Sequence, residues 1–310
     1  MQKNSKIYVA GHRGMVGSAI VRELERQGYT NIITKTHAEL DLCRQADIEH
    51  FFKEEMPEYV IDAAALVGGI KANSERPAEF MYINMQIQQN LIWTAFKSDV
   101  KKFLFLGSAC MYPKECPQPM KEEYLLTGLP EVTNEGYALA KVSGSRLCSY
   151  INREYGREFI SAIPANSYGI GDSFDPEHSH VIPALLMKYH KAKENGSKEV
   201  VLWGTGVAKR EFINNRDIAS ACIFLLNNYS SSEPINVGTG EEISIMELSQ
   251  MIKRITGFDG KIVTDSSKPD GMMRRICDNS KITNLGWKAE ISLEDGISEL
   301  YKWYMENVGV

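Results

Sequence analysis

The sequence predicts a doubly wound α/β fold, and three observations carry that prediction. An apolar run, Ile7 to Ala10, is followed by glycines at 11, 14 and 17, then by a helix-period run with Val16, Ile20 and Leu24 on one face. Short apolar segments and amphipathic segments alternate from residue 6 to residue 107, the pattern of a parallel sheet covered by helices on both faces. From about Asp172 that alternation breaks into shorter elements, which implies a second, smaller α/β substrate-binding domain.

The first element is a nucleotide-binding turn. Glycines let the backbone approach a pyrophosphate closely, and the start of the following helix offers free N–H donors to it. The spacing is G-x-x-G-x-x-G, one residue longer than the usual dinucleotide fingerprint. A strand, this turn and a helix, in that order, make the sheet Rossmann-type. Further strands are expected at Asn31–Thr34, Tyr59–Ala63 and Lys102–Leu106, and helices at Val16–Gln27, Gln45–Glu55 and Asn84–Ser98. The strands are short and rich in Ile, Val, Leu and Phe, as strands buried on both faces are. The second strand ends in Thr34-Lys35-Thr36-His37, where an NAD enzyme usually places an acid for the ribose hydroxyls. Lys35, His37 and Arg13 suit a 2′-phosphate instead, so NADP(H) is the expected cofactor.

A later strand, Phe159–Pro164, runs into Ala165-Asn166-Ser167-Tyr168-Gly169, a loop at the sheet's C-terminal edge, where ligands sit in open α/β folds. Beyond it come helices at Val181–Glu194 and Met246–Thr256 and strands at Glu199–Trp203, Pro234–Val237 and Lys261–Thr264. Arg216–Asn227 reads as a helix returning to the main sheet. The expected division is 1–171 plus about 212–238 for the nucleotide domain, and about 172–211 plus 239–310 for the second domain.

Composition narrows the function classes. Of 310 residues 43% are apolar, enough for a sizeable core, and the net charge of −5 argues against a general nucleic-acid binder. No apolar run reaches membrane-spanning length. The N-terminal residues lack the apolar stretch of a signal peptide, so a cytoplasmic protein is expected. None of the six cysteines forms a CxxC pair, which leaves neither a zinc knuckle nor a redox pair indicated, and no metal site is expected.

The strand ending at Leu106 leads into Gly107-Ser108-Ala109-Cys110, and Tyr137 and Lys141 follow at helical i, i+4 spacing. A phenol with a pKa of about 10 is a poor acid–base catalyst at neutral pH, and a nearby ammonium is expected to pull it down. The lysine can also hold a nicotinamide ribose, and Ser108 can fix a carbonyl oxygen whose carbon receives hydride. Tyr137 is then the proton donor to that oxygen. Singly, Cys110 reads as a buried thiol and His180 as a hydrogen-bonded loop histidine. Together with Ser108 and Tyr137 they suggest an acid–base pair able to move protons on carbons next to a ketone.

At these residues the chain resembles the GDP-L-fucose synthases, the GDP-4-keto-6-deoxy-mannose 3,5-epimerase-4-reductases of the extended short-chain dehydrogenase/reductase family. The segments that carry the resemblance are Gly11–Gly17, Val67–Asn73, Leu106–Pro113, Asn134–Lys141, His178–Leu186 and Lys268–Gly271. The resemblance implies that Ser108, Tyr137 and Lys141 perform a C4 reduction and that Cys110 and His180 exchange protons at C3 and C5. Cofactor contacts are expected from Gly11, Arg13, Gly14, Met15, Val16, Gly17, Lys35, His37, Leu106, Lys141, Pro164, Asn166 and His180. It also implies GDP-sugar contacts from Lys188, Trp203, Arg210, Lys268 and Asp278, with the base on Trp203 and cations near the diphosphate. The family is typically dimeric, so a homodimer is expected, through helices that include Asn84–Ser98 and Lys141–Arg153.

Several positions depart from the family pattern: Ala109, Met111, Gly136, Ala165, Ser167, Ile170, Asn214, Asn215, Met272 and His37. The changes at Ala165, Ser167 and Met272 leave open which GDP-4-keto sugar is used, a hexose or a heptose. One alternative is therefore a C4-reductase for another GDP-4-keto sugar with little or no epimerase activity. Another, of a different class, is a non-catalytic NADP(H)-sensing scaffold. A 4,6-dehydratase is disfavoured, because Ala109-Cys110 stands where it needs an acidic dyad.

Overall fold

The computed structural model describes residues 1–175, 179–268 and 270–308. The first half contains β1 Ile7–Ala10, α1 Met15–Arg26, β2 Ile32–Ile33, α2 Gln45–Glu55, β3 Tyr59–Asp62, α3 Ile70–Glu75, α4 Pro77–Lys97, β4 Lys102–Leu106, α5 Glu135–Tyr155, β5 Phe159–Pro164 and β6 Asn166–Tyr168. The second contains α6 Val181–Glu194, β7 Glu199–Trp203, β8 Lys209–Arg210, β9 Phe212–Asn214, α7 Asn215–Asn228, β10 Ile235–Val237, β11 Ile243–Ser244, α8 Ile245–Thr256, β12 Lys261–Asp265, β13 Arg274–Arg275, α9 Ser280–Asn284 and α10 Leu293–Asn307. His178 and Pro269, which belong to two of the motifs quoted above, lie outside the described residues.

The apolar runs pair as one six-stranded sheet in the order β10-β5-β4-β3-β1-β2, parallel throughout. Burial explains their composition: β1 and β4 are buried at every residue. One face is covered by α2, α4 and α5, through Ile48, Phe52, Leu91, Ile92, Cys148 and Ile151. The other is covered by α1 and α7, through Ile20, Leu24, Ile218, Cys222 and Leu225. Each such fully buried aliphatic side chain contributes roughly 1.5–3 kcal/mol of transfer free energy, so the double cover stabilises the sheet from both sides. A separate core gathers side chains of α6, β7, α8 and α10, among them Leu186, Leu202, Leu248, Ile252 and Leu300.

The chain leaves β1 for β2 on one side and then crosses to β3 on the other. The order therefore reverses between β1 and β3, and open α/β sheets bind ligands in the crevice outside that reversal. The loops that follow β1, β3, β4 and β5 all open at this edge.

Several boundaries follow from local chemistry. The fourth helix begins at Pro77 rather than Asn84, since a proline at the first helical position lacks only an N–H that would be unpaired anyway. Gly156 takes φ 65° to end α5. Ser244 and Glu247 cap the start of α8 reciprocally. The second strand is shorter than expected, Ile32–Ile33, because only these residues pair with β1. The returning helix is α7, which packs against α1 and β4. Among the described residues no helix is long and apolar enough to cross a membrane.

Candidate active site

The glycine turn is built by close packing. Gly11 has φ 76°, and a Cβ there would lie 2.7 Å from the Ala63 carbonyl oxygen, on the far side of the strand-order reversal. A Cβ on Gly17 would lie 2.1 Å from the Gly11 carbonyl oxygen, so only glycine lets α1 seat against the turn. Gly14 is the residue before the helix and its Cβ position is open, with nothing nearer than 3.4 Å. No side chain caps the start of α1. The N–H groups of Met15, Val16 and Gly17 thus begin a helix at the crevice, with the positive end of its dipole facing outward, a cradle that fits a pyrophosphate. Replacing Gly17 with Ala should force the turn from α1 and lower NADPH affinity at least tenfold, about 1.4 kcal/mol. Equilibrium binding followed by nicotinamide fluorescence checks this, and wild-type affinity in a folded Gly17→Ala protein would rule the cradle out.

The cations expected at the 2′ position of the ribose are partly assembled. Arg13 and Lys35 both act on the Glu39 carboxylate, which is held below its ordinary range chiefly by the Thr36 hydroxyl and N–H. His37 stands apart and exposed, its Nδ1 3.9 Å from Asp41. Glu39, which no sequence pattern marks, lies beside the two cations a 2′-phosphate would face.

The expected reacting groups cluster where β4 ends. Ser108 accepts the Cys110 N–H at 3.3 Å, and its hydroxyl reaches the Tyr137 phenol. Asn134, just before α5, donates Nδ2 to Cys110 Sγ at 3.2 Å. Cys110 is in turn close enough to Tyr137 to raise its pKa electrostatically. Lys141, one turn along α5 from Tyr137, is buried; its Nζ donates to the Leu106 carbonyl at 2.9 Å and stands 4.7 Å from the centre of the Phe105 ring.

One electrostatic expectation is corrected. Burial raises the Tyr137 phenol above its ordinary value, Cys110 adds to the rise, and the Ser108 hydrogen bond opposes it. Lys141 does not pull the phenol down, because its ammonium turns toward Leu106 and Asp62 instead. Burial lowers the Lys141 pKa and Asp62 opposes that fall. A phenol held protonated is suited to donating a proton, and a hydrogen-bonded oxyanion drawing on it would be stabilised in the same place.

His180 immediately precedes α6, and its Nδ1 lies 3.7 Å from Oδ1 of the buried Asp172. Asp172 raises the imidazole's pKa against a smaller lowering by burial. The loop that carries Asp172 packs over the start of α1: a Cβ on Gly171 would lie 3.7 Å from Met15 Cα, and Asn215 Nδ2 bridges the Met15 and Ile170 carbonyls. His180 is thereby tied to the same edge of the sheet as the glycine turn. Asn166 donates to the Glu211 backbone at 2.7 Å, and Pro164 pairs with Val237.

Three of the five expected sugar-nucleotide contacts come together. Trp203 is 67% exposed, and Lys188 and Lys268 place their ammonium groups 5.9 and 5.7 Å from its ring centre. Arg210 pairs in register with Arg275, and burial and the Arg275 charge both lower its pKa. Arg275 was not singled out from sequence; it is buried and donates to the Ala109 carbonyl at 2.6 Å, which couples this cationic group to the loop bearing Cys110. Asp278 sits apart, its carboxylate accepting the Ser280 N–H at 2.9 Å.

With this geometry in view, comparison with known proteins is informative. The model of the NAD dependent epimerase/dehydratase family matches residues 7–238. GDP-L-fucose synthase 1 of Arabidopsis thaliana is 54% identical over 306 residues, covering 99% of this chain and 95% of that protein. The chain belongs to this family. Within it the GDP-L-fucose synthase of Escherichia coli (strain K12) is 46% identical over 311 residues, 97% of each chain. Among solved structures, a GDP-mannoheptose C4 reductase from Campylobacter jejuni with NADP bound superposes with a TM-score of 0.90 at 40% identity, covering 98% of this chain and 99% of that one.

The glycine turn and the Ser108, Tyr137 and Lys141 set are legible in the sequence as short spacings. It was the fold that added Asn134 at the Cys110 thiol, Asp172 at His180 and Arg275 behind Ala109. A sequence signal existed for Asn134 only: it lies a short step before Tyr137, where a helix start brings its amide back toward the preceding loop.

Proposed function

We propose that the chain binds NADP(H) and reduces the C4 ketone of a GDP-4-keto sugar after 3,5-epimerisation, converting GDP-4-keto-6-deoxy-mannose to GDP-L-fucose. The observation that carries this reading is the Cys110 thiol, held by Asn134 at 3.2 Å and lying beside the Tyr137 phenol. C4 reduction by itself needs no thiol beside the phenol, whereas proton exchange at C3 and C5 needs a further acid–base group there. The uncapped start of α1 would hold the pyrophosphate, Arg13 and Lys35 the 2′-phosphate, and Lys141 the nicotinamide ribose. The bound dinucleotide supplies hydride to C4.

The residues divide the remaining work. Trp203 offers a face for the base, and Lys188, Lys268 and Arg210 balance the diphosphate. Ser108 and Tyr137 hold the ketone oxygen, which acidifies the protons on C3 and C5. Cys110 and His180 remove and return those protons on either side of the sugar ring. Tyr137 finally protonates O4, and loss of the ketone ends epimerisation. The division into 1–171 plus about 212–238 and about 172–211 plus 239–310 is part of this reading. So is a homodimer: Tyr82, Trp93, Tyr150 and Tyr155 are 66, 42, 49 and 48% exposed along α4 and α5. A cytoplasmic location fits six free cysteines.

The second reading, a C4-reductase for a GDP-4-keto-heptose, is favoured by the likeness to the Campylobacter jejuni reductase and by Ala165, Ser167 and Met272. Incubation with GDP-4-keto-6-deoxy-mannose and with a GDP-4-keto-heptose, each with NADPH, separates the two. Loss of nicotinamide absorbance with the hexose, GDP-L-fucose by NMR, and two copies by light scattering are expected. Turnover of the heptose alone selects the second reading, and no NADPH oxidation with either sugar rejects both.

A further inference from the structure

A carboxylate lies deep in the layer beneath the catalytic lysine, and the chemistry above leaves it without a task. Asp62 ends β3 at the strand-order reversal and is fully buried. In register it stands between Ala10 of β1 and Phe105 of β4, so its side chain shares a sheet face with the Phe105 ring on which Lys141 rests. Oδ1 accepts the Ala64 N–H at 3.1 Å, and Oδ2 is buried with no hydrogen-bond partner among the described residues. An isolated buried carboxylate costs several kcal/mol, and an apolar residue would fill this site more cheaply.

What surrounds Asp62 leaves one candidate for its counter-ion. From β1 it faces the Tyr8 phenol, and from α5 the Cys148 thiol and the Lys141 ammonium. Burial, with Asp62 adding to it, pushes the Tyr8 and Cys148 pKa values well up, so both stay neutral. From β4 it faces only the Phe105 ring. Lys141 has the complementary need: it is buried, its one hydrogen bond is to a neutral carbonyl, and burial drives it toward the uncharged amine.

We propose that Asp62 is a positioning residue whose buried negative charge keeps Lys141 an ammonium and holds it at the end of β4, where it would meet the ribose. This rests on the reading of Lys141 as the ribose-holding lysine of an NADPH-dependent reduction. The sign follows from the two groups. Burial raises the Asp62 pKa to about 6 and Lys141 opposes that rise, so at neutral pH the carboxylate is mostly ionised and supports the ammonium. Without it, Lys141 loses its proton at lower pH.

The test uses Asp62→Asn, which keeps shape and removes charge, and Asp62→Leu as a second variant suited to the apolar layer. Two readouts against pH are taken on each folded protein: NADPH affinity by nicotinamide fluorescence, and kcat/KM for the ketone. The alkaline limb of both should move down by at least about one pH unit, with values near pH 6 close to wild type. A merely structural role predicts reduced thermal stability with both limbs unmoved, and that result overturns the proposal. If no GDP-4-keto sugar is turned over, the functional reading fails, yet the affinity profile still decides the role of Asp62.

Discussion

Tyr137→Phe is expected to slow ketone reduction by at least about 100-fold, the scale of a lost general acid, with NADPH affinity nearly unchanged. The substitution removes one oxygen. The ring itself is retained, packed edge-on against Phe80 at 6.5 Å between centres, so the fold has no reason to change. What is lost is the proton donor and its link to Ser108. Because burial holds this phenol above its ordinary value, it remains protonated through neutral pH, and the wild-type rate should show no alkaline loss from phenol ionisation in that range. Single-turnover reduction of a ketone that needs no epimerisation isolates the step. A Tyr137→Phe rate within tenfold of wild type would mean that another group donates the proton.

The second large effect is expected at Cys110. Cys110→Ser should cut deuterium incorporation at C3 and C5 by at least about 100-fold when substrate is incubated in D2O without NADPH. A serine hydroxyl keeps the hydrogen bond with Asn134 but is intrinsically far less acidic than a thiol. Reduction of a pre-epimerised ketone should suffer much less, since Ser108, Tyr137 and Lys141 are intact. Asp172 extends the argument to pH. It raises the His180 pKa above 6.5, so the cationic acid outlasts an ordinary imidazole as pH rises, and exchange should fall only beyond that point. Equal losses in exchange and reduction would reject a separate acid–base role for the thiol.

Much of this site was legible in the chain. The turn Gly11–Gly17, the spacing of Tyr137 and Lys141, and the strand leading to Ser108 are local patterns. Their chemistry depends on neighbours a few residues away. The helix bounds at Gln45–Glu55 and Val181–Glu194 were equally local, fixed by hydrophobic period. The grouping of Trp203 with Lys188 and Lys268 came from family resemblance, and the structure brings those three side chains together. The resemblance also suggested Asp278 for that group, whereas its carboxylate is occupied by a turn at Ser280. The depressed phenol was an inference from spacing alone. It fails because an i, i+4 lysine can turn its ammonium to either side, and here a carbonyl and a buried acid attract it.

The sequence by itself determined the doubly wound sheet, the nucleotide turn and the candidates for the reacting side chains, since periodicity and short spacings are written into consecutive residues. Only the tertiary structure decided which charges share a dry environment. Asp62 and Lys141, and Arg275 and Arg210, come from distant segments, and no spacing relates them. Electrostatic interaction depends on separation in space and on the exclusion of water between the groups, and both exist only once the strands and helices have packed.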